Sequence, residues 1–178
     1  KLHAPNWFIE NQDGSKNPHD EIDDPKESAK VLQAHVDEGL KFARKNRLPK
    51  PIANFIPEHQ GTLKMGYFLH KAKEKNLNVS EIEFRYKGPI PQSKETAILM
   101  LADGCEAALR AMNVNASDNE ALETISKIIK SRLIDGQLDE SNLSQGEIFL
   151  IKRSFLNVWK RIRHRRIQYP TTKNNTFS

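Results

Sequence analysis

The sequence has no long hydrophobic run and only one cysteine, and each absence excludes a class of protein. A membrane-spanning helix needs roughly 18 consecutive apolar residues, and no run of that length occurs, so this chain is not expected to cross a bilayer by itself. The single cysteine, Cys105, excludes an internal disulfide and fits a cytoplasmic protein. Internal repeats and low-complexity tracts are also absent from the sequence.

Length and composition indicate one soluble domain. The chain has 178 residues, of which 37% are apolar and 29% are charged. That length can bury a sizeable core, and the composition is typical of a helical domain with a well-solvated surface. The sequence begins at Lys1 rather than Met, in the middle of a pattern, so we expect it to be a piece of a longer protein.

The net charge of +5 comes from one segment near the C-terminus. Residues 152–166 hold seven Lys or Arg and no acidic residue, while the rest of the chain has a slight excess of acid. Such a run could contact nucleic acid or anionic lipid. The same segment carries an apolar stripe at helical spacing, which favours a solvated face on a packed helix. We therefore expect no nucleic-acid partner.

Hydrophobic periodicity predicts an all-α domain with almost no sheet. Residues 10–25 contain turn-forming dipeptides and are predicted to form a loop. Extended structure is predicted only for 82–92, where prolines and glycine weaken a strand. A tail is predicted over 171–178. The predicted helices span about 25–46, 52–56, 63–76, 93–112, 118–134 and 144–166.

Three side chains on separate predicted helices could ligate a metal ion. His35 lies at the edge of an apolar helix face, and His59 follows an apolar turn. Asp103 interrupts the most hydrophobic helix, where burying a carboxylate without a partner is costly. Taken singly, each has an ordinary explanation, such as an ion pair between Asp103 and Arg110. Together they form a plausible set of nitrogen and oxygen ligands inside a helical bundle.

The segment around "GPIPQS" has a different chemistry. Arg85, Tyr86, Lys87 and Lys94 flank it, and they combine a guanidinium, an aromatic ring and ammonium groups. These groups suit a ligand with a phosphate to bind and a base to stack on the ring. The alternative is an ordinary solvated loop with cationic side chains.

Several motifs occur in an order that resembles a known family. They are "WFIENQ", "NPHD", "AHVDEGLKFA", "HQGT", "FRYKGPIPQSKETAILMLAD" and "RLIDGQLDES". Together, from residue 1 to about 170, they resemble the cytoplasmic HD domain of the seven-transmembrane HD (HDIG) hydrolases, which include cyclic di-AMP phosphodiesterases. The resemblance implies an all-α HD bundle over 1–170 whose N-terminal helices lie before this chain.

The resemblance also assigns residues to a centre with two divalent metal ions, Mn or Fe. It implies that His35, His59 and Asp103 are metal ligands, and that the family's first His and its His-Asp pair precede Lys1. Where the family commonly has a second adjacent histidine, this sequence has Gln60, whose amide oxygen is a weaker ligand. The resemblance also adds Lys1 to the candidate substrate contacts Arg85, Tyr86 and Lys94.

The expected function is metal-dependent hydrolysis of a cyclic dinucleotide, most readily cyclic di-AMP to linear pApA. The resemblance places the domain at the cytoplasmic face of the cell membrane, anchored by segments outside this chain, and allows a homodimer. Gln60 leaves open an alternative, in which a catalytically impaired HD domain binds nucleotide as a sensor.

Overall fold

The computed structural model describes residues 18–75 and 77–164, and this part of the chain is an all-α bundle. Its only β pairing within those ranges is a single bridge between Lys64 and Arg85. The prediction of an all-α fold is confirmed. The helices are α1 (Pro18–Ile22), α2 (Pro25–Lys45), α3 (Lys50–Ala53), α4 (Phe55–Glu58), α5 (Gly66–Glu74), α6 (Lys94–Arg110), α7 (Asp118–Ile134) and α8 (Gln145–His164), with a 3-10 helix at Glu81–Phe84.

Two details of the predicted elements differ from the structure. Helix α1 occupies part of the region predicted as a loop, because Pro18 supplies a favourable first helical residue. The extended prediction over 82–92 is wrong at its start, where a capping box at Ser80 begins the 3-10 helix instead. The predicted tail and Lys1 both lie outside the described residues.

Polar caps fix where the long helices begin. The Asp24 carboxylate accepts hydrogen bonds from the backbone of Lys26 at 2.8 Å and Glu27 at 3.2 Å, and Pro25 follows it at the first helical position. Ser93 and Ser117 form capping boxes at the starts of α6 and α7. These side chains satisfy backbone N–H groups that have no partner within the helix.

The larger of two hydrophobic clusters lies between α6, α7 and α8. Leu101, Ile125 and Ile129 are almost completely buried there, and Phe155 and Trp159 of α8 pack against them. Burial of each large side chain contributes roughly 1.5–3 kcal/mol. The buried stripe of α6 runs through Ala97, Leu101 and Cys105, and Ile98 beside it is 37% exposed.

The second cluster joins α2, α5 and the 3-10 helix. Phe84 is fully buried between Ala29 of α2 and Phe68 and Ala72 of α5. This cluster holds α2, which carries His35, beside the chain that leads into α6. Among the described residues, no helix is long and apolar enough to span a membrane.

Candidate metal and nucleotide site

The imidazoles of His35 and His59 meet at the junction of α2 and α4. Their ring centroids lie 5.6 Å apart in an edge-to-face arrangement. His35 projects from the middle of α2, and His59 is the residue that ends α4. The fold therefore brings together two of the three residues named as candidate metal ligands.

Backbone hydrogen bonds fix the tautomer of both rings. His59 Nδ1 lies 2.7 Å from the carbonyl oxygen of Ile56, and His35 Nδ1 contacts the carbonyl oxygen of Leu32. A carbonyl oxygen can only accept, so each Nδ1 carries the proton and each Nε2 carries a lone pair. Metal-ligating histidines are usually oriented in this way, with the second ring nitrogen donating to a carbonyl or carboxylate. Both imidazoles therefore fit a divalent metal ion.

Tyr86 lies on the other side of His35. Its ring centroid is 5.9 Å from that of His35, again edge to face. The Tyr86 backbone N–H donates to the carbonyl oxygen of Leu63 at 3.0 Å, which ties this segment to the turn after His59. Of the predicted substrate contacts that the structure describes, Arg85, Tyr86 and Lys94, it is Tyr86 whose ring lies against the histidine pair.

The buried carboxylate of Glu58 holds the helix end that carries His59. Glu58 is 2% exposed, and its Oε2 accepts from Thr96 Oγ1 at 2.7 Å and from the Gln92 backbone at 2.9 Å. Thr96 belongs to the first turn of α6. The carboxylate thus ties the end of α4 to the start of α6, which carries Asp103.

The turn that follows His59 is held by the segment after α7. Gln137 is 1% exposed, and its Oε1 accepts from the Thr62 backbone at 3.0 Å. Its Nε2 donates to Thr62 Oγ1 at 2.8 Å and to Asp135 Oδ2 at 3.0 Å. The motif "RLIDGQLDES" therefore reaches the turn that follows His59 through a hydrogen-bonded amide.

All five N–H donors of Arg85 are engaged within the protein. They bond to Glu81 at 2.8 and 3.0 Å, to Asp135 at 3.0 and 3.2 Å, and to the Thr62 carbonyl oxygen at 2.9 Å. Hydrogen bonding to Asp135 is the main reason why the pKa of Arg85 is raised, and Arg85 in turn lowers the pKa of Asp135. This arrangement indicates that Arg85 orders the loop, and it leaves no N–H donor free for a phosphate.

The two lysines near "GPIPQS" form surface ion pairs. Lys94 Nζ lies 2.6 Å from Glu147 of α8, and Lys87 Nζ lies 2.7 Å from Asp37 of α2. The hydrogen bond from Lys94 is the largest cause that lowers the pKa of Glu147 to about 2. Exposed pairs of this kind contribute little stability, so both lysines can exchange their carboxylate for another anion.

Asp103 is exposed on α6, which corrects the expectation of a buried carboxylate. Asp103 lies outside the apolar stripe of α6 that packs in the core. Arg110, considered as its partner, donates from Nε to Glu106 at 2.9 Å. Burial lowers the pKa of Arg132, and the charges of Cys105, Asp135 and Asp103 oppose that shift. Asp103 is thus within electrostatic range of Arg132.

The described residues do not assemble a complete metal centre. Within 18–75 and 77–164, no group of three or more His, Cys, Asp or Glu side chains lies close enough together to hold an ion. Gln60 is half-buried, and its side-chain amide has no hydrogen bond to any described residue. Among the candidate ligands, the structure thus brings His35 and His59 together, with Gln60 directly after His59 in sequence.

Sequence reasoning missed the residues that support the histidines. Glu58 precedes His59 directly, and a buried acid beside a candidate ligand is a signal that the sequence offered. Gln137 and Asp135 stood within a quoted motif, but nothing local in that motif shows that Gln137 contacts Thr62, 75 positions away, or that Asp135 contacts Arg85, 50 positions away. These contacts depend on the packing of both α4 and α7 against α6.

Comparison with known proteins identifies relatives along almost the whole chain, although no protein-family model matches it. An uncharacterized protein of Synechocystis, slr0104, is 47% identical over 96% of this chain. The cyclic-di-AMP phosphodiesterase PgpH is 38% identical in Listeria monocytogenes, over 98% of this chain, and 39% identical in Bacillus subtilis, over 96%. The chain spans only 22% of slr0104 and 24% of either PgpH.

Two crystal structures of one of these relatives share the fold. The HD domain of L. monocytogenes phosphodiesterase PgpH in complex with cyclic-di-AMP superposes with a TM-score of 0.86 and 36% identity, over 91% of this chain and 75% of that one. The second crystal structure, of the L. monocytogenes phosphodiesterase PgpH HD domain, superposes with a TM-score of 0.85 and 35% identity, over 92% of this chain and 76% of that one. The chain therefore belongs to the family of the PgpH HD domains.

Proposed function

We propose that this chain forms part of a metal-dependent HD phosphodiesterase domain that hydrolyses cyclic di-AMP to linear pApA. The observation that carries the proposal is the likeness, at 36% identity and over 91% of the chain, to an HD domain solved in complex with cyclic-di-AMP. The histidine pair supports it independently, since both imidazoles present Nε2 lone pairs suited to a divalent ion.

The metal ligands proposed from this chain are His35, His59 and Asp103, with Gln60 as a weaker fourth. The centre would hold two divalent ions, Mn or Fe, with further ligands supplied by the part of the HD domain that precedes Lys1. When bound, such ions lower the pKa of water and stabilise negative charge on a phosphodiester. Within the chain, the carbonyl oxygens of Ile56 and Leu32 keep the histidines in the ligating tautomer.

The nucleotide would lie along the segment that contains Tyr86. Its ring, beside His35, offers an aromatic surface for a base. Lys94 and Lys1 remain proposed contacts for phosphate, and Lys94 would first have to leave Glu147. Arg85 would act by holding this segment against the turn after His59, since its N–H donors are occupied.

The remaining parts of the proposal concern the whole protein. We place residues 1–170 in the HD domain and the domain at the cytoplasmic face of the cell membrane, anchored by segments outside this chain. The resemblance to the seven-transmembrane HD family supports this location. A homodimer is also compatible with the proposal.

The experiment measures conversion of cyclic di-AMP by the purified full-length protein with Mn²⁺ or Fe²⁺. Linear pApA is expected, and Asp103→Ala should lower the rate at least about 100-fold, or roughly 2.7 kcal/mol of transition-state stabilisation. Glu123→Ala removes an exposed carboxylate from α7, paired only with Lys127, and serves as the matched control. A wild-type rate in Asp103→Ala would exclude Asp103 as a ligand.

Gln60 favours a second candidate function, a sensor that binds the nucleotide without hydrolysing it. Its amide stands beside His59, where the family commonly offers a second imidazole. Calorimetry separates the two functions. Tight binding of cyclic di-AMP with no pApA in saturating Mn²⁺ would establish the sensor, whereas turnover under the same conditions would exclude it.

A further inference from the structure

We infer that Gln137 is a positioning residue for His59, acting through the turn that contains Thr62. The inference rests on the proposed function only in naming the metal ion that His59 would bind. Gln137 lies beyond the end of α7 and touches neither imidazole in the contacts described above. Its effect on His59 is therefore indirect, through the backbone of residues 59–62.

The Gln137 amide is buried, and each of its hydrogen-bonding groups has a partner. The side chain is 1% exposed, and both of its donor positions and its acceptor have partners. Two of those three bonds go to Thr62, one to its backbone N–H and one to its hydroxyl. A buried polar group of this kind is costly to leave unpaired, so the amide specifies one position for Thr62.

Gly61 shows how closely the turn is pressed against this amide. Its φ is +51°, a conformation that favours glycine. A Cβ at this position would lie 2.5 Å from Gln137 Oε1 and 2.7 Å from Met100 Cε. The turn after His59 thus packs directly between Gln137 and α6, and a side chain at Gly61 would displace it.

Four residues close a hydrogen-bonded ring around this turn. Gln137 donates to Asp135 at 3.0 Å, and Asp135 accepts from Arg85 at 3.0 and 3.2 Å. Arg85 then donates to the Thr62 carbonyl oxygen at 2.9 Å. This bond closes the ring, because Thr62 is also the residue that Gln137 binds. Because both the N–H and the C=O of Thr62 are fixed, His59, three residues earlier, is held in place relative to His35.

The test compares Gln137→Met, Thr62→Val and Thr62→Ser in the full-length protein. Methionine at 137 removes all three amide hydrogen bonds, and valine at 62 removes only the bond from Gln137 Nε2 to the hydroxyl, whereas serine keeps the hydroxyl. Ile129→Val, which removes one methylene from the buried face of α7, controls for a general loss of stability. The readouts are Mn²⁺ affinity by calorimetry and amide hydrogen exchange of residues 59–62 without metal.

Gln137→Met and Thr62→Val should each weaken Mn²⁺ binding about 10- to 100-fold, the usual effect of removing groups that orient metal ligands. Amide exchange at residue 62 should accelerate strongly in Gln137→Met, which removes the acceptor of that N–H, and less in Thr62→Val, which loosens the Gln137 amide, while Thr62→Ser and Ile129→Val stay close to wild type. Unchanged Mn²⁺ affinity in the two variants would overturn the inference. If Gln137→Met does not fold, Thr62→Val decides.

Failure of the proposed function gives a different result. If the wild-type protein binds no Mn²⁺, the metal proposal fails. Amide hydrogen exchange of residues 59–62 then decides whether Gln137 holds the turn. Wild-type exchange rates in Gln137→Met and Thr62→Val would overturn the role given to Gln137 as well.

Discussion

The rings of His35 and His59 meet edge to face at a centroid distance of 5.6 Å, although they come from different helices. Each is fixed by a hydrogen bond from Nδ1 to a carbonyl oxygen of its own helix. If the proposed metal ion binds here, neither ring has to change tautomer to present Nε2.

Replacing either histidine by alanine should abolish tight Mn²⁺ binding, because each removes an imidazole ligand. His70→Ala is the control, since that histidine is 74% exposed on α5 and pairs with Glu74. Calorimetry with Mn²⁺ measures the effect. If His35→Ala and His70→Ala behaved alike, His35 would not be a ligand.

Gln60→His should strengthen Mn²⁺ binding about tenfold, or roughly 1.4 kcal/mol, because imidazole is a better ligand than an amide oxygen for such metals. Gln60→Ala is the matched control and should bind as the wild type does or slightly more weakly. Titrating the wild type, Gln60→His and Gln60→Ala with Mn²⁺ in the same buffer measures the order of their affinities. Equal affinity for Gln60→His and Gln60→Ala would show that residue 60 does not face the metal.

Glu58→Ala should destabilise the domain by about 3 kcal/mol, because it leaves the buried Thr96 hydroxyl and Gln92 N–H without their acceptor. Urea denaturation measures the loss. Glu95→Ala, an exposed acid in the first turn of α6, should change stability by less than about 1 kcal/mol. Similar losses in both variants would contradict the role given to Glu58.

Arg85→Lys and Asp135→Asn should each lower stability, and the double variant should lose less than the sum of the two. A lysine cannot reproduce the paired N–H bonds of the guanidinium, so the coupling energy should be about 1–2 kcal/mol. Urea denaturation of the four proteins completes the cycle. Additive losses, together with a raised KM for cyclic di-AMP in Arg85→Lys alone, would indicate that Arg85 contacts substrate instead.

Acid should weaken the contact between α6 and α8. The pKa of Glu147 is lowered to about 2, from a usual value near 4.5, so its ionised form is favoured by folding. That contribution is fully present above about pH 4.5 and is lost as the pH falls through about 2. Glu147→Gln should therefore differ from wild type in thermal midpoint at pH 6 and match it near pH 2. A difference that persists at pH 2 would contradict this.

Much of the fold follows from local features of the sequence. The apolar periods of α2, α6, α7 and α8 and their polar caps specify where these helices lie, because both act over a few residues. The loop predicted over 10–25 is wrong at residues 18–22 and the extended segment predicted over 82–92 is wrong at its start, since Pro18 and Ser80 favour short helices there.

The candidate site depends on both the sequence and the tertiary structure. The sequence by itself determined which residue types could ligate, His35 and His59, and placed Gln60 beside them. Only the tertiary structure decided that the two rings meet, that Asp103 faces solvent and that Arg85 is occupied by carboxylates. The physical reason is the sequence range over which each interaction acts. Helix propensity is local, whereas the hydrogen bonds of Gln137 and Glu58 form only once α4, α6 and α7 have packed together.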